Sequence, residues 1–134
     1  MAEIVNDKFE TIGQIANRNE FKQYVKDNKY VMVKFSADWC GPCKRIAPLF
    51  KDYFQSTISF NKDIKLILVD IDKDSEVSNL LRIRSVPTMV MYVNGILEYT
   101  CNSSAQNDVK HFFEKSVIKM SEYKNSTNYF TNVD

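Results

Sequence analysis

Two cysteines lie two residues apart in "ADWCGPCKR" (37–45): Cys40 and Cys43 enclose Gly41 and Pro42, follow the single tryptophan, Trp39, and precede Lys44 and Arg45. Thiols at this spacing suit three kinds of chemistry: half of a zinc site, a structural disulfide, or a dithiol that exchanges with disulfides of other proteins. A structural zinc site commonly takes four Cys or His ligands in two closely spaced pairs. Beyond the motif the sequence offers Cys101 and His111 for the second pair, ten residues apart. A structural bridge between Cys40 and Cys43 closes too short a loop to restrict the unfolded chain much, and a reducing compartment opens it. The exchange reading uses more of the residues.

That chemistry needs the motif to lie between a strand and a helix. "YVMVKFSA" (30–37) is β-branched and almost continuously apolar, as in a strand covered on both faces. The spacing after it predicts a helix that starts in the motif, runs to about Thr57 and buries Ile46, Leu49, Phe50, Tyr53 and Phe54. Pro42 falls in the first turn, where proline is tolerated, and Pro48 in the interior, where it is expected to kink the helix. At the helix start Cys40 meets free N–H groups and the positive end of the dipole, which lower a thiol's pKa and make it the attacking thiolate. Cys43, one turn further in and expected to be more buried, attacks the mixed disulfide and releases reduced substrate. Gly41 and Pro42 hold the pair close, and Trp39 shields one side while packing against substrate.

The other elements alternate. "ETIGQIAN" (10–17) reads as a first strand, and Asn19 as the cap of a helix with Phe21, Tyr24 and Val25 inward. "IKLILVDID" (64–72) is the most continuous apolar strand; Ser75 is expected to cap a helix with Val77, Leu80 and Leu81. "TMVMYVNGILEYTC" (88–101) reads as two strands joined at Asn94-Gly95, a hairpin signal. The last helix, from near Ser104, shows Val109, Phe112, Phe113, Val117 and Met120 on one face. This order predicts an α/β fold: a central mixed sheet of about five strands flanked by four helices on both faces. One domain is expected over 8–119, with an N-terminal extension at 1–7 and a polar, mobile tail at 120–134.

With 18 basic and 17 acidic residues among 134, there is no charge imbalance of the kind that draws nucleic acid or anionic membranes. The first ten residues contain three acidic side chains and no apolar run, so they read as neither a signal nor a transit peptide. No stretch is apolar enough to span a bilayer. The expectation is a cytoplasmic monomer, with no nucleic acid and no membrane among its partners.

Taken together, "KFSADWCGPCKRIAP" (34–48), "SVPT" (85–88) and "YVNGILEYT" (92–100) resemble the thioredoxin family over about residues 8–119. The resemblance implies a thioredoxin fold and a thiol-disulfide oxidoreductase that reduces protein disulfides. It implies no bound cofactor, with electrons reaching the dithiol from NADPH through a thioredoxin reductase. It also implies a cis bond before Pro87, packed against the active-site disulfide, and a Val86 backbone that receives an extended substrate segment. Three positions depart from the family pattern. Lys34 stands where members usually carry a buried Asp that assists proton transfer at the second cysteine, and Leu68 stands where its charged partner often lies. A slower or more oxidising dithiol is expected from Lys34. Ser103 aligns with a common glycine beside the substrate groove, and a narrower substrate range is expected from it.

Two further classes stand beside the reductase. One is a thioredoxin-fold adaptor in a larger assembly, with Tyr123, Tyr129 and Phe130 of the tail as a docking element. The other, a secretory oxidase or isomerase, is disfavoured by the N-terminal sequence and by Pro42, where that class usually has His. Cys101 reads as a small buried hydrophobe, and Lys44, Arg45, Arg82 and Arg84 as a basic rim able to meet an acidic partner.

Overall fold

The computed structural model describes residues 1–133, with side chains as far as Glu122. The chain runs β1 (Ala2–Val5), β2 (Thr11–Ile15), α1 (Arg18–Asp27), β3 (Tyr30–Ser36), α2 (Gly41–Phe60), β4 (Ile64–Asp70), α3 (Ser75–Leu80), β5 (Thr88–Val93), β6 (Ile96–Cys101) and α4 (Gln106–Val133). The strands form one sheet in the order β2-β1-β4-β3-β5-β6. Only the β3–β4 pair among them is parallel, and α2 makes its crossover.

Each face of the sheet has its own apolar layer. Met32, Leu66 and Met89 project to one face, where α2 and α4 cover them with Ile46, Phe50, Phe54, Phe112 and Phe113. Val31, Val33, Phe35, Ile67 and Val69 project to the other, under Phe21 and Val25 of α1 and Val77 of α3. Successive side chains of a strand alternate between faces, so a strand in the middle of two layers must be apolar throughout. β3 meets that demand except at its half-buried last residue, Ser36, and at Lys34, which is nevertheless buried. Phe50 ties the α2–α4 layer together, with ring centroids 6.5 Å from Phe54 and 5.2 Å from Phe113.

The sheet has six strands rather than about five, because residues read as an N-terminal extension form β1. This strand pairs antiparallel with β2 on one side and β4 on the other. Ala2 and Val5 are buried, and the short run lacks the alternation that marks a longer strand. The connection to β2 is closed by Asn6, whose side-chain oxygen accepts from the N–H groups of Lys8 (2.9 Å) and Glu10 (3.0 Å). Phe9 there adopts φ 61° and sets its ring edge-on to Phe54.

Several ends differ from the sequence expectation. The cap of α1 is Asn17, not Asn19, with its side chain accepting from the Glu20 N–H at 3.0 Å. The Glu20 carboxylate returns a bond from the Ala16 N–H at 2.7 Å, which fixes the entry of the chain. Asp74 precedes α3 in place of Ser75, without a side-chain capping bond. α2 extends past Thr57 to Phe60. α4 extends through the residues read as a tail, where no glycine or proline interrupts it. The side chains of Tyr123, Tyr129 and Phe130 lie outside the described residues.

An inner strand uses its N–H groups on both sides, so proline is poorly tolerated there. Ile4 faces Gly13 across one pair and Ile67 across the other. Ile4→Pro is therefore expected to cost about 2–4 kcal/mol in urea unfolding. An unchanged midpoint would return residues 1–7 to the status of an extension.

Candidate active site

The C-terminal end of β3 delivers the chain directly into α2. Cys40 is the N-cap residue of that helix, and Pro42 lies in its first turn. The Cys43 N–H donates to Cys40 Sγ at 3.1 Å, so the first sulfur receives one of the amides that a helix start leaves without a partner. Cys40 and Cys43 form a disulfide, their Cα atoms 5.3 Å apart. The two residues are buried to a similar degree, 2% and 4% exposed, so the expected deeper burial of Cys43 is not seen. Gly41 is exposed, and a side chain at that position would meet the Arg45 guanidinium, which lies 3.8 Å away.

The parallel register of β3 with β4 and the antiparallel register with β5 bring two loops to the disulfide. Ile71, just beyond β4, packs with Val86 against Ala37, Cys40 and Cys43. The Val86–Pro87 bond is cis, as the resemblance implied, and the Val86 carbonyl oxygen lies 3.7 Å from Cys40 Sγ. Pro87 is buried and Val86 is half-buried.

Trp39 is 68% exposed, so it is no core aromatic. Its indole N–H donates to Asp72 Oδ2 at 2.9 Å, across the gap between the motif and the loop after β4. Sequence reasoning did not single out Asp72. No local sequence signal marks it, because it is the pairing of Ser36 with Asp70 that sets the residues following β4 beside those following β3. The turn holding Asp72 is fixed by Asp70, whose carboxylate accepts from the Asp72 (2.9 Å) and Lys73 (3.2 Å) N–H groups. Lys73 in turn pairs with Asp38 at 3.2 Å.

Lys34 is 8% exposed and pairs across the sheet with Leu68 and Met89, so both cross-strand neighbours are uncharged. Its Nζ lies 4.8 Å from the centre of the Phe50 ring, and none of the ion pairs among the described residues includes it. Burial pushes its amine below the ordinary lysine pKa. Lys34 and Cys43 line one cavity of about 190 Å³ at the start of α2.

Other singled-out residues stand apart from this chemistry. Cys101 is buried, and burial, with the Asp108 charge as a second cause, pushes its thiol up. Ser103 bonds Asp108 Oδ2 at 2.7 Å and accepts from the Ala105 N–H at 3.0 Å, so its hydroxyl organises the approach to α4. His111 is exposed. Lys44, Arg45, Arg82 and Arg84 are all exposed, and none takes part in an ion pair among the described residues. No helix among the described residues is long and apolar enough to cross a membrane.

Comparison with known proteins agrees with this geometry. The family model described as Thioredoxin matches residues 13–115. Thioredoxin 1 of Plasmodium falciparum is 36% identical over 101 residues, covering 75% of this chain and 93% of its own. A thioredoxin of Mycoplasmoides gallisepticum is 40% identical over 81 residues, covering 60% and 77%. Among solved structures, a Plasmodium falciparum thioredoxin superimposes with a TM-score of 0.65 at 35% identity, covering 75% of this chain and 95% of the other. With its Cys40–Cys43 pair at the head of α2, the chain belongs to the thioredoxin family and is a thiol-disulfide oxidoreductase.

Proposed function

We propose that Cys40 is the attacking thiolate and Cys43 the resolving thiol of a protein-disulfide reductase. The observation that supports this order is the Cys43 N–H donating to Cys40 Sγ at the head of α2. A helix N-terminus favours negative charge, and a sulfur that accepts a backbone amide there is stabilised as a thiolate. In the forward reaction Cys40 attacks one sulfur of a substrate disulfide and the other sulfur leaves as a thiolate. Cys43 then attacks Cys40 Sγ, which closes the Cys40–Cys43 bond and releases the second substrate sulfur.

An extended substrate segment lies against the Val86 backbone, beside the cis Val86–Pro87 bond, with the Trp39 ring on the opposite side. Gly41 and Pro42 keep the helix start open for this approach. The protein works as a monomer in the cytoplasm with no bound cofactor. Its disulfide is returned to the dithiol by an NADPH-dependent thioredoxin reductase, whose acidic surface meets Lys44, Arg45, Arg82 and Arg84.

The test is reduction of insulin disulfides with dithiothreitol as electron source. The wild-type chain is expected to accelerate the reaction at least tenfold, and both Cys40→Ser and Cys43→Ser to fall to the uncatalysed rate. Equal rates for wild type and Cys40→Ser would favour the adaptor reading instead. A second experiment separates the cysteines: Cys43→Ser is expected to trap substrate as a mixed disulfide that reductant dissolves. Cys40→Ser should trap none. Trapping by Cys40→Ser alone would reverse the assigned order.

A further inference from the structure

Lys34 is the one charged residue buried among the described residues, and no carboxylate pairs with it. Isolated burial of an ammonium is costly, and a cation over an aromatic ring recovers only part of that cost. The amine therefore stands to gain from any anion that forms nearby. The cavity of about 190 Å³ has room for a few water molecules, and the one lining group that changes charge with oxidation state is Cys43.

The other charged groups around Lys34 are poorly placed to answer it. Asp38 and Lys44 line the same cavity, but the Asp38 side chain is 81% exposed and is held by Lys73. β4 and β5 set Leu68 and Met89 beside Lys34, and α2 sets Phe50 beneath it. Two carboxylates lie along that sheet face: Asp70, two residues beyond Leu68 on β4, accepts the Asp72 and Lys73 N–H groups, and Glu3 of β1, opposite Leu68, is engaged by the Thr11 hydroxyl at 3.1 Å.

We propose that Lys34 is the counter-ion of the Cys43 thiolate, a positioning residue that holds the second sulfur ionised in the dithiol form. The inference rests on the dithiol reading above. When a donor dithiol reduces the protein, the donor's two sulfurs join as a disulfide and its two electrons break the Cys40–Cys43 bond. Cys40 and Cys43 emerge as thiolates, the first held by the helix start and the second by the Lys34 ammonium. The donor's two protons pass to solvent, less any that a neutral Lys34 takes up in becoming ammonium. Ionisation of Cys43 favours the reduced state and makes the disulfide more oxidising. Because the pair is partly enclosed, its effect survives salt that would screen an exposed pair.

The test isolates Cys43 in a Cys40→Ser/Cys101→Ser background and follows thiolate absorbance near 240 nm against pH. Cys43 is expected to titrate at least one unit below the ordinary thiol value of about 8.5, a tenfold change in ionisation. Adding Lys34→Met is expected to return the midpoint to 8.5 or above, with the far-ultraviolet circular dichroism unchanged. Lys34→Arg, which keeps the charge, is expected to retain most of the shift. In parallel, Lys34→Met with both active-site cysteines intact should move its equilibrium with dithiothreitol at least tenfold toward the disulfide. A Cys43 midpoint that does not respond to Lys34→Met, or an unmoved equilibrium, overturns the proposal. Neither readout requires turnover, so failure of the insulin assay alone would count against the reductase reading and not against the pair.

Discussion

A helix that begins at a cysteine sets the terms for everything else in this protein. The first turn of α2 has amides with no carbonyl to receive them, and one of these, from Cys43, points at Cys40 Sγ. That bond has value only if the helix start is held still. Ile46, Phe50 and Phe54 anchor α2 on the sheet, and Phe113 of α4 braces Phe50 from behind. Pro42 at the first turn and Cys40 as the cap residue make the start of the helix a fixed point. The cysteine end of α2 is thus anchored through the packed side of the same helix.

The sheet then decides what stands opposite that helix start. β3 lies between β4 and β5, and the register carries the loop after β4 and the loop before β5 to the end where the cysteines emerge. Ile71 and Val86 close an apolar collar around the disulfide, while Asp72 holds the edge of the Trp39 indole. A cavity on the remaining side brings Lys34 into the same neighbourhood as Cys43. The same strand that launches α2 therefore also supplies the buried lysine, through a residue whose side chain must point toward α2 by the alternation of β3.

Strongly patterned elements were legible in the sequence, and contacts between distant elements were not. The continuous apolar run of β3, the amphipathic face of α2 and the Asn94-Gly95 turn each have a local cause; Asn94 and Gly95 adopt φ of 52° and 78°, the left-handed region a tight hairpin needs. β1 escaped notice because four residues of mixed character owe their strand to pairing on both sides rather than to their own pattern. Asn17 outcompeted Asn19 as a cap because Glu20 could bond back to Ala16, a two-way contact. Asp72 became part of the site only through the register of β3 with β4. The continuation of α4 lacked an apolar face to announce it, yet nothing in the sequence stops the helix.

The claim on which the proposed chemistry stands is that the helix start makes Cys40, and not Cys43, the sulfur that attacks substrate. Alkylation of the reduced chain by iodoacetamide across pH, with the modified residue mapped by mass, measures it directly. The account predicts that Cys40 is labelled first and that its reactivity has a midpoint about one to two units below the ordinary thiol value of about 8.5. First labelling at Cys43, or a Cys40 midpoint at the ordinary value, would contradict it.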